Sequence, residues 1–405
     1  MKILLCHNYY ATRAGEAQVV AHEAELLEKH GHQVIRLERD NADIARMSPA
    51  EKLRTFFTSF HNPGVVSEAR EIVSLYRPDI AHVHNVFPRI SPSLYRTLYS
   101  LGVPVVQTFH NFRFLCISGL LFKDGDYCGG RGNGVKCVTG RCYRDSYIYS
   151  AWYAALLAWH RRRGTFLSCI DRYIALNGVT RDIFVKAGFP YDKFVVKPNS
   201  ASVEDVPHIA EPDDYAVFVG RLSREKDIMT LLEASARVPD LPLIIVGDGP
   251  CEDDARDFVR DRGLCHVTFR GKLPPEDCAG IIAGALVTVF PSTCHENCPL
   301  TVINSVYLGT PVIGSRTGGM PDFVPEGKAG WLVTPGDVDA WTARLAFVAA
   351  RPDEAVALRP STRLFGLGAF GSETNYNRLV DVYRAAMRAA ASRHGDSFPS
   401  LSRES

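Results

Sequence analysis

"TCHENCPLTVINSVYLGTPVIGS", residues 293–315, holds a loop, a helix and the start of a strand. Pro299 suits the first turn of a helix, where its missing N–H is harmless. The apolar spacing runs on through "LTVINSVYL", Gly309 ends it, and Pro311 lies beyond. "PVIGS" then reads as a short buried strand. Glu296 sits just before the helix, and Leu300 and Thr301 bring unpaired first-turn N–H groups. Asn304 is one turn further in. Eight residues of helix rise about 12 Å, so Glu296 and Asn304 are too far apart to share a proton or a metal. They suit two ends of one elongated ligand, with an anion at the helix N-terminus between them.

The same strand-and-helix alternation extends over the whole chain. In the first half the apolar runs are "KILLCHN", "HQVIRLER", "IAHVHN", "PVVQTFH", "RYIALN" and "KFVVKPN". In the second they are "YAVFVGRL", "LPLIIVGDG", "HVTFRG", "LVTVFPS", "PVIGS" and "GWLVTPG". Most are continuous rather than alternating, as in strands of a parallel sheet covered on both faces. The expected fold class is therefore α/β, with two Rossmann-like doubly wound domains facing a cleft. At 405 residues the chain is too long for one ordinary core. The expected division is one doubly wound domain over 1–199, a linker over 200–213 and a second doubly wound domain over 214–370. An amphipathic helix over 371–393 follows, then a disordered Ser-rich tail over 394–405.

Composition narrows the function class. Hydrophobic residues make up 46 % and charged residues 22 %, with a net charge of +1, which fits a soluble enzyme and gives no sign of a nucleic-acid binder. No apolar run reaches the roughly 18–20 residues that span a bilayer. "MKILLCHNYY" reads as a first strand rather than a signal peptide. Eleven cysteines without an export signal imply a reducing cytosol and free thiols.

Open α/β sheets bind ligands beyond the carboxyl ends of their strands. In the second half Arg221 and Lys226 follow "YAVFVGRL", and Gly249 lies in the loop after "LPLIIV". With the Glu296 loop, they place two cations and several helix N-termini along one edge. Such an edge suits a diphosphate. In the first half Gly15 opens a helix after the first strand, where backbone can approach a ligand closely. His110 ends "VVQTFH", and His84 and Asn85 end "IAHVHN".

Taken together, "GRL…EK", "VGDGP", Glu296 with its eighth-residue partner, "GTPVI" and "GGMPD" at 318–322 resemble the retaining GT-B glycosyltransferases of family 4. The resemblance covers nearly the whole chain. It implies that Glu296, as the first acid of an E-x7-E motif, contacts the donor hexose. The second acid, which would hold the ribose hydroxyls, is Asn304 here. An amide still donates and accepts, without charge-assisted bonds. The family's Gly-Gly loop is Ala14-Gly15, with Gly15 facing the donor phosphates. The resemblance makes His110 the cleft histidine beside the reacting carbon, and His84 and Asn85 line the acceptor pocket.

The implied reaction moves a sugar from a UDP- or GDP-linked donor to a hydroxyl of a glycan or lipid-linked glycan, in cell-surface polysaccharide or lipopolysaccharide synthesis. No metal cofactor is required, because Arg221, Lys226 and the helix N-termini neutralise the leaving diphosphate. Alternatives are an inverting GT-B enzyme, a 2-epimerase, or a catalytically weak nucleotide-sugar-binding partner protein. Asp-x-Asp in "KDGDY" reads as a hairpin turning at Asp124-Gly125 rather than a metal site. Cys116, Cys128, Cys137 and Cys142 offer a structural zinc alternative, but lack the C-x2-C pairs that preorganise one. "SYIYSAWYAALLAWHRRRG", 146–164, is an aromatic-rich helix ending in three arginines, read as a packed helix or a surface for an anionic membrane. The expected location is cytoplasmic, with peripheral contact at the inner membrane.

Overall fold

A computed structural model describes residues 1–11, 15–123, 126–128, 134–203, 206 and 211–394. Ala14, the Asp124-Gly125 turn and the tail beyond residue 394 lie outside the described residues. The first half supplies β1 (Lys2–Tyr9), β2 (Gln33–Asp40), β3 (Ile80–Asn85), β4 (Val105–Phe109), a hairpin of β5 (Phe122–Lys123) and β6 (Asp126–Tyr127), β7 (Arg172–Ala175) and β8 (Phe194–Val196). The second supplies β9 (Asp213–Val219), β10 (Leu243–Val246), β11 (Val267–Gly271), β12 (Ala285–Phe290), β13 (Val312–Ser315) and β14 (Gly330–Val333).

Two parallel sheets result, ordered β2-β1-β3-β4-β7-β8 and β11-β10-β9-β12-β13-β14. Each of the twelve apolar runs becomes one strand. Central strands β3, β4 and β12 are buried along their whole length, because helices cover both faces. Edge strands β2 and β11 are only partly buried, which explains their more polar sequences. In each sheet the strand order reverses once, between β1 and β3 and between β9 and β12. Such a reversal parts the flanking loops and opens a crevice at the carboxyl ends.

The C-terminal helix Ser372–His394 returns to the first sheet. Its Leu379, Val382, Tyr383 and Ala386 are buried against Ile3, Ile80, Val106 and Ile174. The chain therefore crosses between the lobes twice, and the two crossings are joined. Ala201 N–H donates to Phe370 O at 2.9 Å, and Asn375 Nδ2 donates to Pro198 O at 2.7 Å. Among the described residues, no helix is long and apolar enough to cross a membrane.

Candidate active site

The two crevices face each other across a cavity of about 390 Å³. Gly15, Glu16 and His110 line it from the first lobe, and Arg221, Lys226 and Glu296 from the second, with Leu300 and Thr301 at the helix start. These positions follow β1, β4, β9 and β12, the strands at or beside the two reversals.

Glu296 is held from below. Its Oε1 accepts from Lys226 Nζ at 2.5 Å, Ser292 Oγ at 2.7 Å and Cys294 Sγ at 3.4 Å. Burial alone would raise this carboxyl. The Lys226 ammonium and the hydrogen bonds outweigh burial and hold it below the usual range. Lys226 is itself pushed up, since Glu296 and its neighbours outweigh burial, and its ammonium lies 4.9 Å from the Phe290 ring. The side chains are 20 % and 12 % exposed, so the pair is sheltered yet reachable. Three donors on Oε1 leave Oε2 to accept from a ligand.

Two helix N-termini meet at this cavity. The helix Gly15–Lys29 begins against the helix Leu300–Leu308: a Cβ on Gly15 would lie 3.1 Å from Leu300 Cδ1. Pro299 is the N-cap of the second helix, and no side chain caps it. Its first-turn N–H groups thus face the cavity mouth as anion donors. Gly247 and Gly249 do related work one layer back. A Cβ on either would strike Gly220 O at 1.9 Å or Leu222 O at 2.3 Å, so only glycine lets the Arg221 loop lie flat on its neighbour. Gly249 itself lines a larger cavity of about 1080 Å³ that shares Val219, Gly220 and Arg221 with the first.

From the first lobe that larger cavity is lined by Tyr10, Asn111, Arg113 and Tyr143. Arg113 Nε and Asn111 Nδ2 both donate to Tyr10 Oη at 3.0 Å, and Asn111 Nδ2 reaches Glu16 Oε2 at 3.4 Å. Burial pushes the Glu16 carboxyl up to about 8 against the pull of Arg113 and Asn111. A neutral carboxylic acid at the cavity wall is a donor as well as an acceptor.

His84 and Asn85, expected on the acceptor wall, line none of these cavities. β3 is central, and its end is covered by β1 on one side and by the residue after β4 on the other. Asn85 Nδ2 donates to Asn8 O at 2.6 Å, and His84 lies behind His110, with Nδ1 2.8 Å from His110 Nε2. Asn304 lines neither cavity. Its Oδ1 accepts from Ser202 N–H at 3.1 Å and its Nδ2 donates to Ser202 Oγ at 3.4 Å, tying the helix to the interlobe crossing. Asn177 had no place in the motif reading. Its Oδ1 caps the helix Gly178–Lys186 at Thr180 N, 2.7 Å, while its Nδ2 crosses the gap to Asn297 O at 2.6 Å. One carboxamide thereby clamps the Glu296 loop to the first lobe.

The chain matches the family model "Glycosyl transferases group 1" over residues 200–364 and "Glycosyltransferase Family 4" over residues 14–205. The two matches overlap at residues 200–205 and take in both lobes. The chain belongs to glycosyltransferase family 4. It is 33 % identical to the sulfoquinovosyl transferase SQD2 of Arabidopsis thaliana over 70 % of this chain and 51 % of that one. It is 31 % identical to a D-inositol 3-phosphate glycosyltransferase of Corynebacterium urealyticum, over 42 % of each. The matched stretch thus spans about half the length of these relatives. Anabaena HepE, solved in complex with UDP, superposes with a TM-score of 0.64 at 16 % identity, covering 95 % of this chain and 100 % of that chain; the likeness is one of fold, GT-B.

As a family 4 chain it departs from the pattern at Asn304, whose amide is committed to the crossing segment. The four cysteines are close enough to interact: burial and the nearby Cys116 and Cys142 raise the Cys137 thiol, while a hydrogen bond from Cys128 leads the causes that lower Cys116 to about 5. They do not converge on a point. Among the described residues, donor atoms gather closely enough for one ion only at Glu23, His82 and His84. There the Lys197 ammonium, 3.5 Å from Glu23 Oε2, already supplies the positive charge. The helix Tyr147–Arg162 buries Trp152, Tyr153, Leu156 and Leu157 and leaves Tyr147 59 % and Ile148 74 % exposed.

Proposed function

We propose that the protein transfers a sugar from a nucleoside-diphosphate-sugar to a hydroxyl acceptor, with retention at the anomeric carbon and without a metal. One observation carries this reading: Arg221, Lys226, Glu296, His110 and an uncapped helix N-terminus line a single cavity between the lobes. The diphosphate sits on Arg221, Lys226 and the N–H groups of Leu300 and Thr301, which stabilise the charge that develops as it leaves. Glu296 Oε2 accepts from the sugar hydroxyls and fixes the ring. His110 and Gly15 close over the anomeric side. The anomeric C–O bond to phosphate breaks as the acceptor oxygen bonds the same face, and the acceptor proton passes to the departing phosphate oxygen.

The acceptor enters through the larger cavity, past Tyr10, Asn111 and Arg113. We infer a glycan or lipid-linked glycan met at a membrane surface. Leu53 and Phe57, 59 % and 64 % exposed, sit on the helix Pro49–Thr58, and Tyr147 and Ile148 on its neighbour. Lys52, Phe56, Tyr149 and Trp152 line one further cavity between these two helices. Thermal-shift screening of UDP- and GDP-sugars, then NMR of the anomeric proton in the product, tests the assignment. Stabilisation by at least one nucleotide-sugar and an unchanged anomeric configuration are expected. No stabilisation by any, or inversion, would overturn it.

A further inference from the structure

Behind His110 lies a buried relay that the donor site itself does not use. His82 and His84 alternate on β3, so both rings point to the same face, where the helix Gly15–Lys29 presents Glu23. All three side chains are at least nine-tenths buried. Glu23 Oε1 lies 2.9 Å from His82 Nδ1 and 3.3 Å from His84 Nε2, and Oε2 lies 3.5 Å from Lys197 Nζ. His82 is further held by Tyr383 Oη at 2.8 Å on Nδ1 and Thr108 Oγ1 at 2.7 Å on Nε2. Lys197 belongs to the first interlobe crossing and Tyr383 to the C-terminal helix.

We propose that Glu23 is a positioning residue that sets, through His84, which ring nitrogen of His110 carries the proton. An ionised carboxylate only accepts. His84 Nε2 faces Oε1 at 3.3 Å without a straight hydrogen bond and has no other partner among the described residues, so the charge of the carboxylate favours a proton on that nitrogen. His84 Nδ1 is left bare and accepts, so the proton in the 2.8 Å contact belongs to His110 Nε2. The ring nitrogen remaining for a ligand is Nδ1, without a proton. His110 thus meets the donor sugar as an acceptor of a hydroxyl hydrogen, not as a donor or a cation. The placement of His110 beside the sugar rests on the proposed function; the relay does not.

The arrangement makes Glu23→Gln informative although it is nearly isosteric. A glutamine has one carbonyl for two demands. The Lys197 ammonium makes the stronger demand, so the carbonyl turns to it and the NH2 group turns to the imidazoles. His84 must then accept at Nε2 and carry its proton on Nδ1, and the proton of His110 moves to its own Nδ1.

Long-range 1H–15N NMR on 15N-histidine-labelled protein reads both tautomers, with His110 assigned from its loss in His110→Gln. In the wild type His110 and His84 should each carry the proton on Nε2. In Glu23→Gln both should carry it on Nδ1. Glu23→Asp, which keeps the carboxylate, should retain the wild-type pattern. UDP affinity should stay within twofold in Glu23→Gln while hydrolysis of the best-binding nucleotide-sugar falls about tenfold. A wild-type His110 protonated on Nδ1 overturns the relay whether or not the variant folds, as does a folded Glu23→Gln with unchanged tautomers. The tautomer reading needs no donor, so failure of the proposed function would leave it standing or falling by itself.

Discussion

Replacing Glu16 by Gln should stabilise the protein at alkaline pH and leave it unchanged near pH 4. Glu16 is 10 % exposed at the wall of the donor cavity, and burial lifts its carboxyl from the ordinary 4.5 to about 8. Between those values the native state keeps a proton that the unfolded chain has released. A raised carboxyl therefore contributes fully below the unfolded pKa, and the contribution is lost as pH rises through the folded one. The full shift corresponds to about 4–5 kcal/mol at ~1.4 kcal/mol per tenfold change. Partial relaxation around an ionised Glu16 makes this an upper bound. Glutamine mimics the protonated acid and does not titrate, so wild type and Glu16→Gln should match at pH 4 and diverge up to about pH 8. Urea denaturation at half-unit steps from pH 4 to 9 measures the difference. UDP binding gives an independent reading, because ionised Glu16 repels the diphosphate. Wild-type affinity should drop about tenfold from pH 7 to 9, while the variant stays flat. A stability difference independent of pH would refute the assigned protonation and the neutral wall built on it.

Other substitutions separate the parts of the site. Glu296→Gln removes one side of the sheltered pair with Lys226; turnover should fall at least a hundredfold with about 1–2 kcal/mol lost in stability, and near-normal transfer would reject its sugar-orienting role. Asn177→Ala loses both the helix cap and the bond across the gap, so about 1–2 kcal/mol of unfolding free energy should go, with a raised donor KM; unchanged values would show that the clamp is not closed in solution. Asn304→Ala should weaken UDP binding no more than about threefold, because Ser202 holds both ends of the amide, and a tenfold loss would mean that Asn304 leaves Ser202 for the ribose.

The strands were legible because β-branched apolar runs covered on both faces have few other uses. The donor edge was legible for a related reason: ligand residues follow strands, and Arg221, Lys226, Glu296 and His110 each do. Position along a strand does not reveal what covers its end. His84 and Asn85 end β3 just as His110 follows β4, yet Asn8 of β1 and His110 itself cover the first two and leave the third at the cavity. Asn304 sits at the motif spacing, but Ser202, from a distant segment, claims its amide. The N-cap pattern of Asn177 is visible in "LNGVT"; its reach to Asn297 is not, since that partner comes from the other lobe. Glu23 gave no local sign at all. A lone acid in an amphipathic helix reads as solvated until the fold sets Lys197 and two histidines around it.

The most direct test is calorimetric titration of UDP, GDP and the corresponding nucleosides into wild type, Arg221→Gln and Lys226→Met. If the seam on the second lobe grips a pyrophosphate, one diphosphate binds per chain and each variant loses at least tenfold, while the much weaker nucleoside affinity is unmoved. Equal diphosphate affinity in all three proteins would mean that these cations do not hold it.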